Sequence, residues 1–193
     1  MNVICDVLKH SGYASALMEF AEVNHIKFVA CAQIANVQYE RSENIILFQP
    51  SLSEMEMTKG LIKALRQAWQ NYQGALLQPV ALYPDHAVFI HRAQKADIAG
   101  AMVRIAWELE LAGYHDLWSD LEGSTMRDLT HAFGREAVLD FRSLNNGRAG
   151  FAVFETWFLS DRSKSADTQL IQKMLAEYQG HQFEDEDMSQ LVV

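Results

Sequence analysis

The chain has 193 residues, a formal net charge of −9 and a hydrophobic content of 49%. This length is typical of a single soluble domain with a substantial core. The acidic balance and the lack of a basic tract argue against nucleic acid or a membrane as a partner. No stretch approaches the roughly 20 apolar residues that span a bilayer, and the N-terminal residues lack a signal-peptide pattern. Cys5 and Cys31 are too few for a disulfide framework, and we expect them to be buried thiols of a cytoplasmic protein.

The β-prone segments lie in the first third of the chain. Ser11–Asn24 precedes them and has apolar residues at helical spacing, which predicts a core-facing helix. Ile26–Ala32 is a strand candidate. Ala35–Glu40 and Asn44–Gln49 flank a short polar connection, which predicts a hairpin. These segments together predict a small N-terminal sheet.

The stretch Asn44–Gly74 predicts a strand, a turn and a long helix. Pro50 ends the strand because proline has no amide hydrogen to donate within a sheet. Ser51 or Ser53 can cap the helix, and Ser53 stands three residues before a glutamate, which is the spacing of a capping box. We expect the helix to run to about Tyr72 and to end at the following glycine.

The second half of the chain predicts a helical bundle. A helix of roughly 40 Å is expected from about His86 to Ala112, with Asp85 as its N-cap. Asp97 lies in the otherwise apolar middle of this helix, where a carboxylate needs a partner because burying it alone is costly. The later predicted helices are His115–Leu121, Ser124–Arg142, Gly150–Leu159 and Asp167–Tyr178. Gly150–Leu159 also has a high β-propensity, so a strand stays open there.

These elements predict an α+β protein that is predominantly α. A small N-terminal sheet or hairpin packs on a long helix, and a helical bundle follows. Residues 1–182 are expected to form a single domain. The acidic run Glu184–Asp187 predicts a disordered tail over residues 183–193.

Three stretches carry a resemblance to a known family. They are KALRQAWQ at Lys63–Gln70, KADIAGAMVRIAWELELAG at Lys95–Gly113 and AFGREAVLDFR at Ala132–Arg142. The chain resembles a bacterial family of proposed zincin-type metallopeptidases, in which the metal-binding helix reads approximately H-E-L-R-H-A-W-Q. In zincins two histidines at i and i+4 bind zinc, and the glutamate beside the first is the general base. An edge strand before that helix holds the peptide. The resemblance implies a zincin-like core.

At the positions that should carry the chemistry, this chain departs from the family pattern. Lys63 and Gln67 stand where the two histidines would be, and Ala64 stands where the general-base glutamate would be. Lys95 stands at the most plausible position of the third, carboxylate ligand. A protonated ammonium cannot bind zinc, and glutamine is a poor ligand for it. We therefore expect no metal, no cofactor and no catalytic residue of a zinc peptidase.

Other positions match the family pattern. Arg66, Trp69 and Gln70 on the first helix and Asp97 on the second correspond to its letters. The resemblance implies that these side chains belong to the scaffold around the former metal position and do not bind the metal themselves.

Two interpretations of the polar positions stay open. Lys63, Arg66, Gln67 and Gln70 lie opposite the apolar side of the helix and can simply form a solvated face. Alternatively the former metal cavity persists and takes a small anion or a carboxylate-bearing ligand. Lys63 and Lys95 then supply positive charge, with Asp97 as the counter-ion and Gln67 as a hydrogen-bond partner.

The leading functional hypothesis is a degenerate, non-catalytic metallopeptidase homologue that binds a small ligand or a protein partner. The alternative is a hydrolase or peptidase of altered chemistry that uses Lys63, Lys95 and Asp97, or a metal site built from other ligands. The aromatic residues of Phe151–Phe158 are expected in the core, and an exposed remainder would suit a homo-oligomer contact.

Overall fold

A computed structural model describes residues 2–77 and 82–180. The helices are α1 Asn2–Leu8, α2 Gly12–Val23, α3 Glu54–Tyr72, α4 Pro84–Leu111, α5 Asp116–Glu122, α6 Arg127–Leu139, α7 Ser143–Asn146, α8 Arg148–Leu159 and α9 Asp161–Gly180. The strands are β1 Lys27–Ala30, β2 Gln38–Glu40 and β3 Ile45–Phe48. The prediction of an α+β protein dominated by helices is confirmed. Over these ranges, no helix has both the length and the apolar character that a bilayer span requires.

The three strands form one sheet in the order β1-β3-β2. β2 and β3 are antiparallel, which confirms the predicted hairpin, and β1 pairs with β3 in parallel. Ile46 on β3 is fully buried, whereas every residue of β1 is exposed. β3 directly precedes α3 but is the central strand. Both of its hydrogen-bonding edges are therefore occupied, and a peptide cannot pair with it as the zincin pattern implied.

The two ends of α3 follow the sequence signals. The Ser53 hydroxyl accepts a hydrogen bond from the Glu56 amide at 3.3 Å, and the Glu56 carboxylate accepts one from the Ser53 amide at 3.0 Å. This reciprocal pair is the predicted capping box. The helix ends at Tyr72, and Gly74 adopts a φ of 70°, which glycine accepts without strain.

Helix α4 is the centre of the helical bundle. It packs against helices on both sides, including α2, α3, α6 and α8, and its Val103 and Ile105 are fully buried. It begins at Pro84, so the prediction of Asp85 as N-cap is wrong; the N-cap is Tyr83. Proline is favoured in the first helical turn because an amide hydrogen there would have no helical partner. Asp85 lies in that first turn, where a carboxylate interacts favourably with the helix dipole.

Further differences concern element boundaries. The short helix α1 has seven residues and was not predicted. α6 is shorter than expected at both ends, and α9 begins at Asp161 rather than at Asp167. The segment Gly150–Leu159 is helical, as part of α8. The acidic run Glu184–Asp187 and the whole of residues 183–193 lie outside the described residues.

Both cysteines are free thiols and only half-buried. The expectation that they are buried is therefore wrong. The Cys31 thiol lies 3.2 Å from the Gln33 side-chain oxygen, to which it donates a hydrogen bond. Cys31 follows the exposed edge strand β1. The apolar residues around it in the sequence are therefore not part of the core.

Gly60 in the middle of α3 allows the segment before β2 to approach the helix. A Cβ atom at this position would lie 2.7 Å from both Cβ and Cγ2 of Val37. Val37 is itself buried, so its side chain has little room to move. A glycine inside a helix costs stability, and here that cost allows a close contact between the sheet region and α3.

We predict that Gly60→Ala destabilises the protein by about 1–3 kcal/mol, because the added methyl group overlaps Val37. Gly150→Ala is the matched control, since Gly150 is also helical and a Cβ atom there meets nothing within 4 Å. The control should gain about 0.5–1 kcal/mol from helix propensity. Urea unfolding measures both changes, and an equal effect of the two substitutions would contradict the packing at Val37.

Candidate functional site

A cavity of about 510 Å³ lies between α3, α4 and α8. Lys63 on α3 and Lys95 on α4 both line it. The other lining residues are Asn36, Val37, Glu56, Lys59, Gly60, Ile98, Ala99, Met102, Met126 and Trp157. We call this space the lysine cavity. Its wall is mostly apolar, and its charged groups come from α3 and from Lys95.

The charged groups of the lysine cavity differ in their partners. Lys59 forms an ion pair with Asp120 at 2.9 Å. The carboxylate of Glu56 is held by Ser53 in the capping box. Within residues 2–77 and 82–180, neither Lys63 nor Lys95 has a hydrogen-bond or ion-pair partner. Two cationic side chains that have no ion-pair partner in the described part of the chain therefore share one cavity.

The environment of Lys95 disfavours its charged form. Its side chain is half-buried, whereas that of Lys63 is exposed. Burial lowers the pKa of the Lys95 ammonium below its ordinary value, and the neighbouring charge of Lys63 lowers the same pKa further. A negatively charged group placed between the two lysines would remove this penalty.

The other residues of the predicted pocket lie elsewhere. Ala64 is fully buried in the core, and Gln67 is half-buried but does not line the lysine cavity. Asp97 lines a different cavity, of about 290 Å³, between α2, α4 and α8. The structure thus brings Lys63 and Lys95 together and separates Asp97 from them.

Asp97 is the acceptor at the centre of a hydrogen-bonded cluster between α3 and α4. Its two carboxylate oxygens accept hydrogen bonds from the Arg66 guanidinium at 2.8 and 2.6 Å. The Gln70 amide donates to the same carboxylate at 2.6 Å and to the Gln94 carbonyl at 3.1 Å. Arg66 and Gln70 are buried, so they do not belong to a solvated helix face. We call Arg66, Gln70 and Asp97 the Asp97 cluster. Within it, Asp97 pairs with Arg66 and not with Lys63 or Lys95.

Aromatic rings surround the guanidinium of the Asp97 cluster. The Arg66 carbon Cζ lies 3.9 Å from the centroid of the Trp69 ring and 5.7 Å from that of Tyr13. Such contacts favour a cation, since the face of an aromatic ring carries negative charge. Burial raises the pKa of the Tyr13 hydroxyl, although Arg66 and Arg104 both act to lower it. Arg66, Trp69 and Gln70, which matched the family pattern, therefore all have structural contacts around Asp97.

Comparison with known sequences identifies the family. The sequence pattern of the family described as "Putative metallopeptidase family (DUF6782)" matches residues 6–192. The chain belongs to this family. No curated protein and no solved structure matches it.

Membership of a metallopeptidase family implies a metal, and the sequence resemblance assigns positions 63, 67 and 95 to its ligands. The side chains at positions 63, 67 and 95 are two ammonium groups and an amide. Zinc in proteins is bound by thiolate, imidazole and carboxylate groups, and these side chains offer none of them. Among the described residues, no three His, Cys, Asp or Glu side chains come together in a metal-binding arrangement. The side chains at positions 63, 67 and 95 do not fit a zinc ion.

Several residues of the two cavities carried no recognisable signal in the sequence. Met126 and Trp157 are apolar residues distant in the chain, and only the packing of α8 on α4 brings Trp157 to the lysine cavity. Tyr13 was assigned to a core-facing helix, whereas it contacts the guanidinium groups of Arg66 and Arg104. Gly60, inside a strong helical pattern, was the one usable indication that another segment approaches α3 closely.

We predict that Asp97→Asn lowers the free energy of unfolding by about 2–3 kcal/mol, because it leaves the buried Arg66 guanidinium without a charged partner. Asp6→Asn is the control. It removes one carboxylate from an exposed ion pair with Lys9, so stability should stay nearly unchanged. Urea unfolding of both variants tests this, and equal stabilities would contradict a structural role of the Asp97 cluster.

Proposed function

We propose that this protein is a degenerate, non-catalytic member of its family and that the lysine cavity binds a small anionic ligand. The observation that carries the proposal is the juxtaposition of Lys63 and Lys95. Both line one cavity, and neither has a partner in the described part of the chain. We take the ligand to be a carboxylate or phosphate compound of low molecular weight.

Placing two like charges in one cavity costs free energy. Each ammonium disfavours the other, and the apolar wall near Ile98, Met102 and Trp157 gives poor solvation to the half-buried Lys95. An anion between the ammonium groups replaces this repulsion with two charge-assisted hydrogen bonds. The cavity volume of about 510 Å³ lies within the range of roughly 300–1,000 Å³ that is usual for small-molecule sites.

A protein partner is the second candidate. Val138 and Leu139 end α6, Phe141 follows two residues later, and each of the three is about three-quarters exposed. Neighbouring exposed apolar side chains of this size favour an interaction surface. A homo-oligomer would be one form of such a contact.

A hydrolase built from Lys63, Lys95 and Asp97 has less support. Asp97 is engaged by Arg66 and Gln70 and lines a different cavity from the two lysines. A general base must reach the group from which it takes a proton, and Asp97 lines a cavity that neither lysine lines. We therefore place the non-catalytic binding function first.

Titration with inorganic phosphate in a calorimeter tests ligand binding. The wild-type protein should bind phosphate, and Lys63→Gln or Lys95→Met should weaken binding about tenfold each, because each removes one charge-assisted hydrogen bond. Lys27→Gln is the control. Lys27 is exposed on β1, so this substitution removes the same positive charge at a position away from the cavity. Loss of binding in the control to the same extent would mean that phosphate responds only to net charge, and the proposal would fail.

Restoring the ligands tests the metal-free character of the site. We predict that the wild-type protein takes up no stoichiometric zinc after metal repletion and dialysis. The triple variant Lys63→His, Gln67→His and Lys95→Glu should bind about one zinc ion per chain, because it supplies the two imidazoles and the carboxylate of a zincin site. Elemental analysis measures both. Stoichiometric zinc on the wild type, or none on a folded triple variant, would contradict the assignment of these positions.

A further inference from the structure

We propose that the amine of Lys95 captures 2-oxo acids in the lysine cavity as a reversible imine, while the ammonium of Lys63 holds their carboxylate. This inference rests on the proposed function, because it assigns a ligand class and a chemical step to the same site. It goes beyond that function by making one of the two lysines a nucleophile.

The two lysines differ in the way that this chemistry requires. Lys63 is exposed and lines the same cavity, where its ammonium can contact a carboxylate. Lys95 is half-buried next to the apolar side chains of Ile98 and Met102. A lysine becomes a nucleophile at neutral pH when an apolar pocket or a second cation favours its neutral amine. Lys95 has both conditions, and burial is the larger cause of its lowered pKa.

The charged groups around Lys95 keep this arrangement intact. Those that line the cavity with it are Glu56, Lys59 and Lys63, all on α3. Glu56 is held by Ser53, and Lys59 by its ion pair with Asp120. Asp97, close to Lys95 in sequence, is bound by Arg66. No carboxylate among the described residues therefore pairs with Lys95 and fixes its proton.

The step is balanced without an oxidant or a reductant. The neutral Lys95 amine adds to the carbonyl carbon, and the oxygen takes up the proton that the nitrogen loses, which gives a carbinolamine. Loss of water then forms the carbon–nitrogen double bond, and hydrolysis reverses both steps. A 2-oxo acid fits because its carboxylate is directly bonded to the carbonyl carbon, so Lys63 can bind the first group while Lys95 reaches the second. The remainder of the ligand would lie against the apolar wall.

Reductive trapping tests the inference on the full-length chain. Pyruvate and sodium borohydride are added near neutral pH, and peptide mass mapping locates the secondary amine that forms. We expect one main adduct, on Lys95, at least about tenfold above the adduct on Lys27, and absent from Lys95→Arg. Lys63→Gln should lower the Lys95 adduct about tenfold, and so should replacement of pyruvate by acetone, which has no carboxylate. Lys27→Gln should leave the Lys95 adduct unchanged.

Each alternative result has a defined meaning. Labelling of Lys95 no greater than that of Lys27, or equal labelling by acetone and pyruvate, overturns the inference. Phosphate calorimetry on the same preparation separates it from the proposed function. Phosphate binding that depends on Lys63 and Lys95, without a pyruvate adduct on Lys95, would leave the anion site standing and reject the imine. If phosphate does not bind and no adduct forms, both proposals fail.

Discussion

The hydrogen bonds between Asp97 and Arg66 join α3 to α4, and the position of the lysine cavity depends on them. Arg66 lies one turn after Lys63 on α3, and Asp97 lies two residues after Lys95 on α4. The hydrogen bonds between Arg66 and Asp97 therefore also fix how closely Lys63 and Lys95 approach each other. Since Arg66 is buried, the guanidinium has no alternative partner in solvent, and the two helices cannot slide past each other without leaving it unpaired.

The site that results has the opposite charge pattern from a zinc site. In a zincin, anionic and neutral ligands surround a cation. In this chain, Lys63 and Lys95 line one mostly apolar cavity, which we propose as an anion site. The resemblance assigns both lysines to metal positions, where the positive charge of either one would oppose a metal. In the proposed function the two lysines together bind a negatively charged ligand. Arg66, Trp69 and Gln70 make contacts around Asp97 that do not involve the two lysines.

Sequence reasoning succeeded where the signal was local. The capping box at Ser53, the hairpin around β2 and β3 and the long helix α4 all follow from residues within a few positions of one another. It also identified Lys63 and Lys95 as positions that belong together, although only through the resemblance to a known family. It failed where long-range packing decided the outcome. Arg66 and Gln70 lie on the polar side of α3 by periodicity, yet α4 covers that side and buries them.

Asp97 shows the limit of the sequence argument most clearly. The apolar surroundings correctly indicated that this carboxylate needs a partner. They did not indicate which cationic side chain is that partner. The helical periodicity allows Lys63, Lys95 or Arg66 to lie close to Asp97. The planar guanidinium of Arg66 can bind both carboxylate oxygens at once, which a lysine cannot do. This geometric advantage assigns Asp97 to Arg66 and leaves the two lysines without a carboxylate partner among the described residues.

A crystal structure of the full-length protein grown with both zinc and phosphate would test the central claim directly. The account predicts electron density for a phosphate ion bridging the ammonium groups of Lys63 and Lys95, with no anomalous zinc signal beside Gln67. A zinc ion bound at positions 63, 67 and 95, identified by its anomalous signal at the zinc absorption edge, would contradict it.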